Sequence, residues 1–173
     1  MKNVIQSIKE YCTYNYESIA VAENITSGSL QLIFGAVPEA REYFKGGITA
    51  WNHHQLASCL DVPPFDNIAN PHQANLSMTI ELAKAVAKKF NSDIGIVING
   101  TATNAGGLYQ PAYAAITRFN KLLYAEKLVP YTRHAHAVPL EFAQRVIKML
   151  ASKLIPEPED TLYTTAEILE PLS

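Results

Sequence analysis

Residues 22–28 read Ala22-Glu23-Asn24-Ile25-Thr26-Ser27-Gly28 and gather a carboxylate, an amide and two hydroxyls within a few positions. They follow the apolar run Ser18-Ile19-Ala20-Val21-Ala22 and precede a periodic apolar segment from Leu30. A strand that runs through a tight polar turn into a helix is a frequent address for an active site in an α/β protein. Glu23 and Thr26 could contact a ligand there. They could equally serve the turn, with Thr26 capping the next helix. Asn24 can hydrogen-bond an amide or a phosphate, or simply close the turn. Ser27 and Ser29 are hydroxyls with no base beside them in the sequence, so helix capping is the better account of both. Gly28 and the loop 99–107, with Asn99, Gly100 and Thr101 at its start, let a backbone approach a ligand closely and offer free N–H groups to an anion or a ribose.

Other groups with chemical potential are scattered. Cys59 is intrinsically nucleophilic but falls in a helical segment beside Leu60, which reads as a buried, inert thiol. His53 and His54 are adjacent and cannot form a two-ligand face on a strand. His134-Ala135-His136 has the spacing that puts both imidazoles on one side of an extended segment. With His72 or His54 it could hold a metal, which keeps a metal-dependent hydrolase among the alternatives. No Cys or carboxylate lies at ligand spacing, so a pair of loop histidines is the preferred reading, with no metal and no cofactor. Arg133 is a phosphate contact or a surface ion-pair partner.

These groups need elements to position them. Val4, Ile5, Ile8 and Tyr11 predict a helix over 3–14. Residues 18–22 predict a buried strand. Ser29–Phe34 predicts a helix stopped near Gly35, and Pro38 starts a short helical piece. Gly46-Gly47 opens a strand over Ile48-Thr49-Ala50-Trp51, and His53–Leu60 a short helix. Prolines at 63, 64 and 71 make 61–73 a loop. The clearest helix has Ser77 as its N-cap and Ile80, Ala83, Val86, Ala87 and Phe90 as its apolar stripe. Ile94–Ile98 predicts a strand. Ala112–Phe119 and Leu122–Val129 predict two more, joined at Asn120-Lys121 as a hairpin. Pro139–Leu154 closes the domain as a helix. Strands alternating with helices, plus one hairpin, predict a three-layer α/β/α domain around a mixed sheet over residues 1–155.

Composition bounds the partners. The 173 residues are 48% hydrophobic and 17% charged, with net charge −2. That excludes the basic face of a nucleic-acid binder, and no apolar run approaches a membrane span. With two cysteines and no signal-peptide pattern, the chain is expected in the cytoplasm. The segment 156–173 carries five carboxylates and neither Lys nor Arg. Its Leu162, Tyr163, Ile168 and Leu169 make it too apolar for a purely solvated tail, so it is expected to pack on the domain or on a neighbouring subunit.

The order of these features resembles the C-terminal domain of the competence-damage-inducible protein CinA, also found as a nicotinamide mononucleotide amidohydrolase. That family has a strand ending in Ala-Glu-Ser-Cys-Thr-Gly-Gly, which is similar to Ala22–Gly28 here. Its Val-Pro-Gly-Ala-Ser-x-x-Phe-x-Gly-Gly resembles "VPEAREYFKGG", 37–47. Its next strand, reaching Thr-Tyr-Ser-Asn, is similar to Gly46–His53. Its Gly-Ala-Asp and strand into Thr-Gly-Ile-Ala-Gly-Pro resemble Asn91–Ala102, and the likeness spans roughly residues 5–155. The resemblance implies an α/β/α fold, a homo-oligomer, and amide hydrolysis by a serine activated by a lysine with a tyrosine's help. In this chain the serine position holds Asn24, the tyrosine position Trp51 and the lysine position Leu56. Asparagine cannot form an acyl-enzyme, tryptophan is only a donor, and leucine offers no base. The resemblance therefore implies a catalytically degenerate member that keeps a mononucleotide-like cleft. That cleft is lined by Glu23, Asn24, Thr26, Gly28, Trp51, Asn99, Gly100, Thr101 and Arg133. The alternative is an amidohydrolase working with substituted residues.

Overall fold

The computed structural model describes residues 1–63, 74–100 and 111–155. Five strands form one sheet in the order β2-β1-β3-β4-β5. They are β1 (Ile19–Glu23), β2 (Phe44–Thr49), β3 (Ile94–Gly100), β4 (Ala112–Arg118) and β5 (Lys121–Leu128). β1 lies parallel to both β2 and β3, while β4 and β5 continue the sheet antiparallel. The helices are α1 (Lys2–Asn15), α2 (Ser29–Gly35), α3 (His53–Cys59), α4 (Leu76–Lys89) and α5 (Val138–Leu154).

The period-two alternation of the strands sorts the layers. Ile19 and Val21 of β1, with Ile94, Ile96 and Ile98 of β3, join Ile5 and Ile8 of α1, Leu30 and Phe34 of α2, and Phe142 and Val146 of α5 in one core. Ala20, Ala22, Val97 and Ala115 point the other way, against Leu56 of α3 and Met78, Leu82 and Val86 of α4. The sheet is thus covered on both faces, as the parallel strands of a buried β3 require. No helix among the described residues is long and apolar enough to cross a membrane.

Several boundaries differ from the sequence reading. β2 starts at Phe44 and ends at Thr49, so the glycine pair lies inside the strand and Trp51 beyond it. The cause is packing: a Cβ on Gly47 would fall 2.5 Å from Val21 Cγ2, so the glycine admits the neighbouring strand rather than breaking the chain. α4 is capped by Asn75, not Ser77, and the Asn75 side chain accepts a hydrogen bond from Met78 N at 2.9 Å. The hairpin turns on Phe119-Asn120, both left-handed at φ 49° and 62°, the geometry that matches strand twist. The short helical piece after Pro38 is a 3-10 turn at Ala40–Glu42.

At the amino-terminal edge of the sheet a buried carboxylate is anchored. Glu17 receives Arg118 Nε at 2.8 Å, and Arg118 Nη2 also donates to Tyr11 Oη at 2.9 Å. This ties the end of β4 to the residues that lead α1 into β1.

Candidate functional site

The carboxyl ends of β1, β2 and β3 lie side by side, with Glu23 opposite Thr49 on one side and Ile98 on the other. From β1 the chain crosses to β2 at one side, then returns to β3 at the other. The gap between β1 and β3 is therefore a topological switch point, where α/β sheets open a crevice for a ligand. Asn24, the residue after β1, sits in that gap.

Asn24 is buried, 4% exposed, and its side chain is committed to the protein. Oδ1 accepts from Ile25 N at 2.6 Å and from Gly100 N at 2.9 Å. Nδ2 donates to Asn99 Oδ1 at 2.9 Å. Its backbone N–H extends the ladder to Ile98 O at 3.3 Å. Asn99, also buried, turns its own Nδ2 toward Thr79 Oγ1 at 3.4 Å, and Thr79 Oγ1 donates to Asn75 O at 2.7 Å. One amide thus fastens β1 to β3 and, through Asn99, to the first turn of α4. Gly100 is part of the same closure. A Cβ there would lie 2.8 Å from Ala112 Cβ and 3.0 Å from Ile25 Cδ1, so its missing side chain accommodates protein.

Glu23 is fully buried at the end of β1. Its Oε1 accepts from Gln31 N at 3.1 Å. Its Oε2 accepts from Leu30 N at 3.1 Å and from Thr26 Oγ1 at 2.6 Å. The carboxylate fills the amino end of α2, where free N–H groups and the helix dipole favour an anion. Thr26 does not cap α2, as the alternative reading had it. The N-cap is Gly28 at φ 92°, and Thr26 instead orients the carboxylate that does the capping. Gln31 Nε2 reaches Thr49 Oγ1 at 2.6 Å, which joins α2 to the end of β2.

Around this closed centre stands an exposed rim. Trp51 is 76% exposed, and its backbone N–H donates to Gln55 Oε1 at 3.1 Å. Asn52 caps α3 by accepting from Gln55 N at 2.9 Å. Leu56, one turn into α3, is fully buried in the core against α4. Arg133 is exposed and follows β5. β5 ends opposite Ala112 and Ala112 opposite Gly100, so Arg133 emerges at the same edge of the sheet as the turn. Thr101, His72 and the rest of the loop to Gly107 lie outside the described residues.

Two further expectations are corrected. Cys59 is exposed, because Leu56, Ala57 and Leu60 take the inward positions of α3 and its final turn. The buried thiol is Cys12, whose pKa burial pushes up to about 12, helped by the charge of Glu17. His134 and His136 do not lie on an extended segment, since Ala135–Ala137 is a 3-10 turn, with the ring centroids 5.8 Å apart. Among the described residues no three His, Cys, Asp or Glu side chains are grouped to hold a metal. His53 and His54 sit in the first turn of α3 with ring centroids 4.2 Å apart, and His53 is buried. The sequence reading missed Thr79, Asn75 and Gln31 as parts of this network. The only local signal was Asn75 standing one residue before an apolar helix.

Comparisons with known proteins agree with this architecture. Residues 1–152 match the family model of the CinA C-terminal domain. The chain is 34% identical over 91 residues to a CinA-like protein of Trichodesmium erythraeum (strain IMS101), which is 53% of this chain and 21% of that protein. It is 34% identical over 85 residues to Protein MG115 of Mycoplasma genitalium, 49% of this chain and 54% of that one. The alignment with the Trichodesmium relative thus spans about a fifth of that protein's length. The crystal structure of a competence-damaged protein (CinA) superfamily protein from Enterobacter cloacae superposes with a TM-score of 0.77 at 16% identity, covering 87% of this chain and 90% of that one. The competence damage-inducible protein A (ComA) from Klebsiella pneumoniae subsp. pneumoniae MGH 78578 gives 0.77 at 13% identity over 90% and 98%. At these identities the structural likeness speaks for the fold, and the family model carries the assignment: the chain belongs to the CinA C-terminal domain family.

Proposed function

We propose that this chain is a catalytically silent member of its family, with a weak mononucleotide-binding surface on the rim of the former crevice. The observation that carries the reading is the state of Asn24. At the position where the resemblance implies a nucleophilic serine stands an amide with no nucleophilic or titratable group, 4% exposed. Its carbonyl oxygen is held by two backbone N–H groups, Ile25 N and Gly100 N. Covalent catalysis needs a nucleophile with a base at hydrogen-bond distance. Here the position implied for the base, Leu56, is a core residue. The two losses reinforce each other, because a hydroxyl restored at 24 alone would still lack a base.

Binding is carried by the exposed groups. Trp51 offers a free aromatic face for a base or a pyridine ring, a contact worth about 1–3 kcal/mol. Arg133, after β5 on the far side of the sheet's carboxyl end from Trp51, offers a fork of donors to a phosphate. Glu23, Asn24, Thr26, Asn99 and Gly100 hold the strand ends that lie between the two.

The test has two arms. Incubation with nicotinamide mononucleotide is expected to release no ammonia above a blank, and robust turnover by the unmodified chain overturns the silent reading. Trp51 is the only tryptophan, so its emission reports on the rim directly. Titration with nicotinamide mononucleotide, its acid product and AMP is expected to change that emission saturably at micromolar to millimolar concentration, about 4–8 kcal/mol of binding. Calorimetry on Trp51→Ala and Arg133→Ala should then show weaker binding. No response from any of the three at millimolar concentration leaves a scaffold without a nucleotide surface.

A further inference from the structure

The opposite edge of the sheet carries a second concavity, remote from the turn at 23–28. A groove of about 1000 Å³ runs between the last turns of α4 and the β4–β5 turn, lined by Leu60, Val62, Ala85, Lys88, Asp93 and Phe119 among others. Phe119 is 56% exposed although it is an aromatic residue in a left-handed turn position. The Arg118 guanidinium lies 5.0 Å from its ring centroid, which holds the ring at the groove mouth. The same end of the molecule exposes Tyr14 and Tyr16 at the end of α1, Leu122 at the start of β5, and Ile155 after α5. So much apolar surface gathered at one edge calls for a cover.

Topology says what can reach it. β5 ends at the carboxyl edge of the sheet, so α5 must run back the length of the sheet. Its 17 residues measure about 25 Å at 1.5 Å per residue, close to the length of a strand of this sheet. α5 therefore delivers Ile155 to the amino-terminal edge, on the face of the sheet opposite α4, so the chain that follows need only round that edge to reach the groove where β3 starts and α4 ends. The 18 residues that follow, 156–173, could span about 60 Å if extended. They alternate carboxylates (Glu157, Glu159, Asp160, Glu167, Glu170) with Leu162, Tyr163, Ile168 and Leu169 and contain no Lys or Arg.

The groove wall matches this pattern. Lys84, Lys88 and Lys89 line it from α4. Lys84 pairs with Glu81 at 2.8 Å and Lys89 with Asp61 at 2.6 Å. The Asp93 carboxylate is turned to Ser18 N and Oγ, at 2.8 and 3.0 Å. Lys88 is exposed and has no carboxylate partner among the described residues. We propose that residues 156–173 dock intramolecularly into this groove, their apolar side chains on Val62 and Phe119 and a carboxylate on Lys88.

The experiment uses the full chain. Ala85→Cys, on a helix inside the groove, is labelled with a benzophenone maleimide in a Cys59→Ser background, so that the exposed thiol does not compete. After illumination the cross-linked peptides are mapped by mass. The expected product has the mass of one chain, joins position 85 to a peptide within 156–173, and forms in a yield independent of protein concentration. Adding Lys88→Glu should lower that yield several-fold. The proposal is overturned by cross-links to the tail found only at the mass of two chains, by cross-links that miss 156–173, or by a yield that Lys88→Glu leaves unchanged. A circular dichroism spectrum of each variant establishes that a lost cross-link is not lost folding.

Discussion

Replacing Asn24 by alanine isolates what the amide at the switch point contributes. The variant orphans three groups at once: Ile25 N, Gly100 N and Asn99 Oδ1, held now at 2.6, 2.9 and 2.9 Å. Ile25 is buried as well, but its N–H lies in a turn that can shift to find another partner. Gly100 N and Asn99 Oδ1 are in a fully buried strand end, where water cannot follow. A buried unsatisfied polar group costs about 1–3 kcal/mol, so two of them give a loss of about 3–4 kcal/mol. In a domain of this size that lowers the melting temperature by about 10 °C, at roughly 2–4 °C per kcal/mol. Asn24→Asp keeps both acceptor contacts but buries a carboxylate beside the buried Glu23, so it should also lose stability at neutral pH, and that loss should shrink as pH falls and the new carboxyl takes up a proton. Urea unfolding with an unchanged m-value reads the free energy, and hydrogen exchange at Gly100 reads the local contact. A loss below about 0.5 kcal/mol for Asn24→Ala, with the Gly100 amide still protected, refutes the claim that this side chain clasps the sheet.

Two further outcomes follow from burial. Leu56→Lys, which places the family's base on its implied position, buries a cation in the α3–α4 core and should cost about 4 kcal/mol or more at neutral pH. That deficit should shrink as pH rises toward the ordinary lysine value of about 10.4, because the folded state prefers the neutral amine. The two cysteines should differ in reactivity: a thiol reagent at pH 8 is expected to modify Cys59 alone in the folded chain, and Cys12 only after unfolding. The Cys12 pKa is raised from 9.0 to about 12 on folding, so its contribution is complete below pH 9 and is lost as pH rises above it. At pH 10 the chain should have lost about 1.4 kcal/mol that a Cys12→Ala variant does not lose, read as a flatter stability slope between pH 8 and 10.

The parts of the fold that were legible in the sequence are those whose signal is local. α1, α4 and α5 announce themselves by apolar residues at helical spacing, β3 by its run of β-branched residues, and the hairpin by the short gap between two apolar stretches. The boundaries that moved were set by tertiary contacts. Nothing in Gly46-Gly47 says whether the pair breaks a strand or lets Val21 close in. The same holds for the site. That Glu23 and Thr26 belong to one turn is visible, but the carboxylate caps N–H groups seven and eight residues ahead only because α2 folds back over the end of β1. Asn24 and Gly100 stand 76 residues apart and meet only once β1 and β3 pair. Cys59 was misread because a one-residue rotation of a seven-residue helix decides whether Cys59 or Leu60 faces inward.

On the function proposed above, the amide at position 24 ties loss of chemistry to the satisfied strand ends around it. A nucleophile at a switch point must keep its reactive atom accessible, so its neighbours cannot all spend their hydrogen bonds on it. That leaves strand-end N–H groups to be satisfied by water or by a ligand. Asparagine at the same place carries a carbonyl that accepts from two backbone donors and an amide that reaches the next strand, so it satisfies groups a small hydroxyl would leave partly open. Gly100, packed against Ile25 and Ala112, and Glu23, held by α2, then complete a buried strand end. Stability and activity compete for the same few polar groups in such a site. Among the described residues the buried polar groups are spent on protein partners, and on the function proposed above recognition falls to the exposed Trp51 and Arg133.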